Sequence, residues 1–254
     1  MIKRLFDSHF PLDLAYDWDN VGLQIGTLNK EVNGILITLD VTKEVVEEAL
    51  KNNCNFIIAH HPLLFKPLKN ILTDAYKGQL IEQIIKHDIT VYVAHTNYDL
   101  GHQGMNKVLA NQLGLVNQTI LEYETETHGI GRIGDIEPMT LDNAIKMIKT
   151  RLNIPYARLI TSKPKKTIKR IAISGGSGAS HMFQAKLKHA DLYLTGDVSY
   201  HQAHDMIQMG LQGLDIGHYA EKVFSAALNE LLLQEGFECP IHQSQINLDP
   251  FILV

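Results

Sequence analysis

Short apolar runs alternate with amphipathic stretches along the first half of the chain. The run Gly34–Leu39 is β-branched and apolar, which predicts a buried strand, and Thr42 then caps a helix with an apolar stripe. The alternation continues through apolar runs at 55–59 and 90–94, each followed by a helical pattern. Strands that alternate with helices pair in parallel through helical crossovers. The pattern therefore predicts an α/β fold.

The pattern changes after Leu121, where we place the boundary between two lobes. An acidic stretch at 122–126 and the glycines that follow it predict an antiparallel strand or a turn. Helices and strands then alternate again as far as residue 235. We expect two α/β lobes with mostly parallel or mixed sheets, formed by residues 1–122 and 123–235. Residues 236–254 could complete the first lobe or return to the second, and periodicity does not decide between them.

Composition narrows the class of protein. The 254 residues are 45% hydrophobic with a formal net charge of −5, which argues against nucleic acid as the main partner because that affinity depends on neutralising phosphates. No run reaches the about 18 apolar residues of a membrane span. Two cysteines are too few for a disulfide framework, so we expect a cytoplasmic protein.

Metal-ligand residues follow three of the predicted elements. His60 and His61 end the apolar run at 55–59, and Asp99 follows the run at 90–94. His218 and Glu221 are three residues apart at a helix start and therefore share a face. Three imidazoles and two carboxylates exceed the four ligands of a closed structural zinc site. This set predicts two divalent ions per chain, and such mixed ligands suit zinc, iron or manganese without choosing among them.

Three further features each have two interpretations. His95 is either an acid–base group that serves the metals or a buried histidine that satisfies a strand end. His201 lies on a predicted helix after the turn at 195–197, where it is either an acid–base candidate or one end of an amphipathic helix. The turn at Gly175 and Gly176 either cradles a phosphate or is a plain glycine turn, because the Gly-Lys-Ser/Thr ending of a Walker loop is absent.

Taken together, six segments resemble the NIF3-like family, whose members are often labelled GTP cyclohydrolase 1 type 2 homologues. They run in order along the chain: residues 19–23, 59–63, 95–99, 174–178, 195–197 and 215–222. The resemblance implies a two-lobed α/β protein with a dinuclear metal site between the lobes. It also implies a hexameric toroid built from one chain, here in the short form without the extra middle domain found in some members.

The resemblance implies metal ligation by the five residues already selected, namely His60, His61, Asp99, His218 and Glu221. It also implies that the segment around His201 faces the metals. The function expected from it is metal-dependent hydrolysis, of a purine nucleotide at C8 of the guanine ring or of a phosphoester. The alternative is a non-catalytic metal-binding regulatory or scaffold protein that forms a ring. Chelation distinguishes the two, because a scaffold would melt or dissociate without any nucleotide being hydrolysed.

Overall fold

The computed structural model describes residues 2–252, which contain helices α1–α9 and strands β1–β11. The helices are α1 (Ile2–His9), α2 (Lys43–Lys51), α3 (Tyr76–Lys86), α4 (Thr96–Leu100), α5 (Met105–Gln112), α6 (Leu141–Arg151), α7 (Met182–Leu187), α8 (Tyr200–Gln208) and α9 (Val223–Gln234). The strands are β1 (Gly22–Ile25), β2 (Ile35–Thr38), β3 (Phe56–Ala59), β4 (Thr90–Val93), β5 (Val116–Tyr123), β6 (Gly129–Thr140), β7 (Arg158–Ile160), β8 (Thr167–Ile173), β9 (Leu192–Thr195), β10 (Gly213–Asp215) and β11 (Ile241–Gln243). Short 3₁₀ helices occur at Leu12–Leu14, Gly178–His181 and His218–Lys222.

The chain divides into two compact units. The first unit contains the chain up to Tyr98 together with the segment that begins at Phe224, and the second unit is Asp99–Val223. The mixed α/β class expected from the alternating pattern is confirmed, since each unit has a sheet of parallel and antiparallel strands.

The sheet of the first unit has the strand order β1-β4-β3-β2-β11. Strands β2, β3 and β4 are parallel and fully buried, as expected for apolar β-branched runs covered on both faces. On one face lies α2, whose N-terminus is capped by Thr42 through a 3.3 Å hydrogen bond from the backbone amide of Val45. β1 joins β4 in antiparallel register, and the alternating pattern, which begins at Gly34, does not predict this strand.

The sheet of the second unit has the strand order β5-β6-β8-β9-β10-β7. The antiparallel strand expected after Leu121 is present, because β5 and β6 form an antiparallel pair and β6 pairs with β8 in the same sense. β8, β9 and β10 are parallel, and β7 closes the far edge in antiparallel register. α6 is capped by Thr140, which accepts from the backbone amide of Asn143.

The observed division differs from the predicted boundary at residues 122 and 123. The acidic stretch at 122–126 predicted the boundary there, but β5 pairs with β6 and so belongs to the sheet of the second unit. The C-terminal segment belongs to the first unit, because β11 pairs in parallel with β2. The second unit ends at Val223, whereas the predicted second lobe ends at residue 235. α9 therefore lies almost entirely in the first unit. Within residues 2–252, none of the helices has the length and apolarity needed to cross a bilayer.

Candidate metal centre

Two neighbouring strands of the first unit deliver three histidines to one sheet edge. β3 and β4 are parallel with Ala59 opposite Val93, so His60 and His61 emerge beside His95. The backbone amide of His60 donates to the carbonyl of Thr38 at 3.2 Å, and that of His61 donates to the carbonyl of Leu39 at 2.9 Å. These bonds extend the ladder past the strand end. The backbone that carries the imidazoles is therefore fixed before any ligand binds.

The three imidazoles form a ligand group. Each of His60, His61 and His95 offers a ring nitrogen, and these atoms lie within 4.8 Å of one another. The ring centroid of His60 is 5.1 Å from that of His61 and 5.2 Å from that of His95. Imidazole nitrogens at this spacing suit a divalent transition metal. The first unit alone therefore contains a donor set that fits a metal ion.

Hydrogen bonds at Nδ1 orient these rings. Nδ1 of the buried His60 lies 2.8 Å from the carbonyl oxygen of Ala94, which can only accept, so Nδ1 donates and Nε2 keeps the lone pair. His61 makes the equivalent bond through Nδ1 to Oδ1 of Asp40 at 2.8 Å. A partner at one ring nitrogen fixes both tautomer and orientation, which leaves the other nitrogen for a metal.

Asp19 holds His95 in the same way. The side chain of Asp19 is 0% exposed, and both its carboxylate oxygens lie 2.9 Å from Nδ1 of His95. The carboxylate also accepts from the backbone amide of Thr96 at 3.1 Å and from its hydroxyl at 2.6 Å. Burial alone would raise the pKa of Asp19, but the hydrogen bonds and the positive charge that His95 can carry lower it from 3.8 to about 2.

The second unit holds a separate group of ligands. His218 and Glu221 lie on the 3₁₀ helix His218–Lys222, where residues three apart are eclipsed, and Nε2 of His218 is 3.2 Å from Oε2 of Glu221. The predicted shared face is therefore present. Glu221 is 3% exposed, and one of its carboxylate oxygens lies within 4.8 Å of a carboxylate oxygen of Asp99. Glu221 thus lies near both other candidate ligands of its unit.

Asp197 orients His218. Its Oδ2 accepts from Nδ1 of His218 at 2.7 Å and from the hydroxyl of Ser177 at 2.8 Å. Burial raises the pKa of Asp197, but the hydrogen bonds of His218 and Ser177 outweigh that effect and lower it. Asp197 has a φ of 53°, a left-handed conformation that Asp tolerates better than most residues. The prediction from sequence assigned no such role to Asp197.

The glycine turn packs against Glu221. A Cβ atom at either Gly175 or Gly176 would lie 2.9 Å from Oε1 of Glu221, and Gly176 has a φ of +56°. The backbone amide of Gly175 donates to Oδ1 of Asn106 at 2.9 Å, so that amide already has a partner inside the protein. Space for the Glu221 carboxylate is thus one reason for the two glycines. Phosphate binding by this turn stays a prediction.

His201 lies in the first turn of α8, directly after Tyr200 and the capping residue Ser199, and is exposed. Its ring contacts the ring of Tyr200 at 5.5 Å between centroids. In the part of the second unit that the structure describes, no hydrogen bond or ion pair joins His201 to His218 or Glu221. The structure therefore does not group it with the candidate ligands of its own unit, and its catalytic role stays a prediction.

Two residues with clear roles at the site were missed from sequence. Asp19 is 76 residues from His95, and Asp197 is 21 residues from His218. Each lies in a segment that the resemblance singled out, but no local spacing connects it to its histidine. A carboxylate in a turn beside another strand end was the only available signal.

Comparison with known proteins assigns this two-sheet α/β protein to a family. A family model described as Duf34/NIF3 (NGG1p interacting factor 3) matches residues 1–250, and the chain belongs to that family. A Streptococcus pneumoniae protein named GTP cyclohydrolase 1 type 2 homolog is 37% identical, covering 98% of this chain and 97% of the relative.

Solved structures agree with this membership. A Bacillus cereus protein related to NIF3 superimposes with a TM-score of 0.93 at 34% identity, covering 100% of this chain and 98% of that chain. A Staphylococcus aureus hypothetical protein gives a TM-score of 0.93 at 35% identity with the same coverage. The expected NIF3-like fold is therefore confirmed.

Proposed function

We propose that this protein is a metal-dependent hydrolase that binds two divalent ions per chain and acts on a purine nucleotide. The observation that carries the proposal is the position of Glu221, whose carboxylate lies near both Asp99 and His218. A carboxylate close to two further ligands suits a residue that bridges two ions. The proposed ligand set is His60, His61, Asp99, His218 and Glu221.

The donor chemistry supports zinc, iron or manganese. Imidazole nitrogens and carboxylate oxygens together suit these three ions and do not choose among them. Such ions, when bound, lower the pKa of a bound water toward neutrality and polarise the atom that the water attacks. The remaining steps belong to residues of the chain itself.

His95 is the proposed acid–base residue. Its Nδ1 hydrogen bond to Asp19 leaves the Nε2 lone pair available to take a proton and later return it. The ionised Asp19 carboxylate stabilises the imidazolium that forms in between. His201 is the second candidate, because it is exposed in the first turn of α8.

A purine nucleotide is the first substrate to test, because the Streptococcus pneumoniae relative carries the name of a GTP cyclohydrolase homologue. In that reaction water attacks C8 of the guanine ring. Hydrolysis of a phosphoester would use the same ligands with a different substrate position. The backbone near Gly176 is the proposed contact for the phosphates, because the amide of Gly175 is already bonded to Asn106.

We also propose that the chain assembles as a homohexameric ring. Phe183 and Leu187 on α7 are four residues apart, so they share a face, and both are exposed. An exposed apolar helix face of this kind suits contact with a second copy of the chain. Light scattering tests this, and a mass near 28.5 kDa at micromolar concentration would exclude it.

The main test combines metal analysis with a substrate panel. Protein purified anaerobically, without chelator or metal resin, should contain close to two divalent ions per chain by elemental analysis. It should hydrolyse a purine nucleotide, and removal of the ions should abolish the reaction. One ion or none would contradict the dinuclear site. Two ions without hydrolysis, together with loss of the oligomer on chelation, would instead identify a metal-dependent scaffold.

A further inference from the structure

Three aromatic rings lie together in the first unit beside the imidazole group. Trp18 stacks on Tyr16 with 5.7 Å between centroids and 19° between planes, and Phe65 meets Trp18 edge to face at 5.9 Å. Trp18 is 60% exposed and Phe65 is 46% exposed. A large aromatic side chain usually buries most of its surface. Here two such rings are left open to solvent, and we call Tyr16, Trp18 and Phe65 the aromatic cluster.

The loop that carries Trp18 is anchored on both sides of that residue. The backbone amide of Tyr16 donates to the hydroxyl of Thr96 at 3.2 Å, and Asp19 is held by the bonds from His95 and Thr96. The amide of Asp19 also donates to the carbonyl of Tyr16 at 2.9 Å, which closes a turn around Trp18. The exposure of the indole therefore does not come from a loose loop.

A second set of hydrogen bonds joins this loop to the segment that carries Phe65. Asn20 donates from Nδ2 to the carbonyl of Leu64 at 2.5 Å. Gln24 accepts from the amide of Leu64 at 2.8 Å and donates to the carbonyl of Asn20 at 2.8 Å. These bonds fix the spacing between Trp18 and Phe65. The aromatic cluster is thus a preformed surface, which lowers the entropy cost of binding a flat ligand.

The aromatic cluster adjoins the candidate metal ligands of its unit. The Trp18 ring meets the ring of His95 at 6.3 Å and 76°, and a ring nitrogen of His95 lies within 4.8 Å of those of His60 and His61. A flat ring lying on the indole would therefore have one edge close to the reacting centre. The cluster is also small: a stable protein interface buries roughly 800 Å² per partner, more than three partly exposed rings supply.

We propose that the aromatic cluster is the subsite for the heteroaromatic ring of the nucleotide substrate, with Trp18 as the main stacking surface. This inference rests on the proposed hydrolase function, from which it takes a purine nucleotide as ligand. The side-chain amides of Asn20 and Gln24 are engaged within the protein, so the subsite recognises a planar ring by stacking. Stacking tolerates different bases, since every base has a π-face. The cluster thus contributes to binding both guanine and adenine nucleotides.

The chain allows a direct measurement, because Trp18 is its single tryptophan. Metal-free protein is titrated with GTP, ATP and inorganic triphosphate while tryptophan fluorescence is followed. Quenching by both nucleotides and none by inorganic triphosphate is expected. Equal quenching by inorganic triphosphate would overturn the proposal, because that probe has no ring to stack.

Substitution gives the matched test. Equilibrium dialysis should show that Trp18→Leu binds GTP and ATP roughly 5- to 100-fold more weakly, whereas Trp18→Phe loses about fivefold at most. Tyr76→Leu, which removes another exposed ring of the first unit, should bind as the wild type does. If Trp18→Leu fails to fold, Phe65→Leu and the fluorescence titration of the wild type still decide the question.

The outcomes separate this inference from the hydrolase proposal. Loss of nucleotide binding in Trp18→Leu, in a protein that hydrolyses nothing, would leave the subsite standing and remove the hydrolase. If Trp18→Leu hydrolyses GTP with an unchanged KM, the hydrolase proposal stands and the subsite is refuted. If wild-type protein binds no nucleotide, the subsite is refuted, and hydrolysis of a ring-free phosphoester such as glycerol 2-phosphate still tests the hydrolase. Dissociation of the oligomer in Trp18→Leu, with nucleotide affinity retained, would identify the cluster as a subunit contact.

Discussion

Replacing Asp19 by Asn should destabilise the first unit by about 1–2 kcal/mol at pH 7 and weaken the orientation of His95. The pKa of Asp19 falls from 3.8 in the unfolded chain to about 2 in the folded protein. That difference corresponds to about 2.4 kcal/mol if all of it contributes to stability. His95 retains some contact with solvent, which screens part of the interaction, and the expected value is reduced accordingly.

The direction of the pKa shift determines how the stability of the protein changes with pH. Because the folded pKa lies below the unfolded one, the ionised carboxylate stabilises the fold fully above about pH 5, and this contribution is lost as the pH falls through 3.8 toward 2. About half of it should remain at pH 3. The neutral amide of the Asp19→Asn variant cannot show this behaviour. The difference in stability between wild type and Asp19→Asn should therefore shrink by about half between pH 5 and pH 3.

Urea unfolding followed by tryptophan fluorescence measures this effect, because Trp18 adjoins Asp19 and reports on the first unit. Treating the protein with a chelator beforehand removes any contribution of bound ions to the free energy of unfolding. Asp17→Asn is the matched control, since Asp17 is an exposed carboxylate in the same loop. Equal stability of wild type and Asp19→Asn at pH 7, or a difference that does not change down to pH 3, would refute the reasoning.

Two further predictions concern Glu221 and the glycine turn that packs against it. Glu221→Gln should reduce the affinity for both ions, whereas His60→Ala should spare one; elemental analysis that finds the same metal content in the two variants would contradict a bridging role for Glu221. Gly176→Ala and Gly210→Ala both place an alanine at a positive φ, +56° and +65°, and should each cost about 1–2 kcal/mol in thermal unfolding. Only Gly176→Ala should also weaken metal binding, because its Cβ would lie 2.9 Å from Oε1 of Glu221.

The parts of the site that sequence predicts are those set by local geometry. His60 and His61 follow directly on β3, so an apolar run that ends in two histidines suffices to place them at a sheet edge. His218 and Glu221 meet because they are three residues apart on one helical turn. In both cases the chain itself holds the residues within a few ångströms, whatever the rest of the molecule does.

The parts that sequence does not predict depend on pairing between distant segments. β5 has an exposed, polar face in most of its length, so its composition does not reveal that β6 is its partner. The segment that forms β1 is short and indicates only a turn, because the strand exists through its pairing with β4. For the same reason the role of Asp19 is not predicted, because its partner His95 follows a different strand. Tertiary pairing decides each of these features, and a single sequence carries no record of it.

The hydrogen bonds at Nδ1 connect these distant residues to the proposed chemistry. Nδ1 of His60 donates to the carbonyl oxygen of Ala94. Nδ1 of His61, His95 and His218 donates to carboxylates of other segments. In each case the acceptor directs the lone pair to Nε2, the nitrogen that a metal or a proton would then occupy. Each unit makes these bonds inside itself, so the imidazoles are oriented before an ion arrives. Little ordering entropy would then be lost on binding. A carboxylate-to-amide change at Asp40, Asp19 or Asp197 should therefore act on metal affinity or proton transfer while leaving the ligands themselves in place.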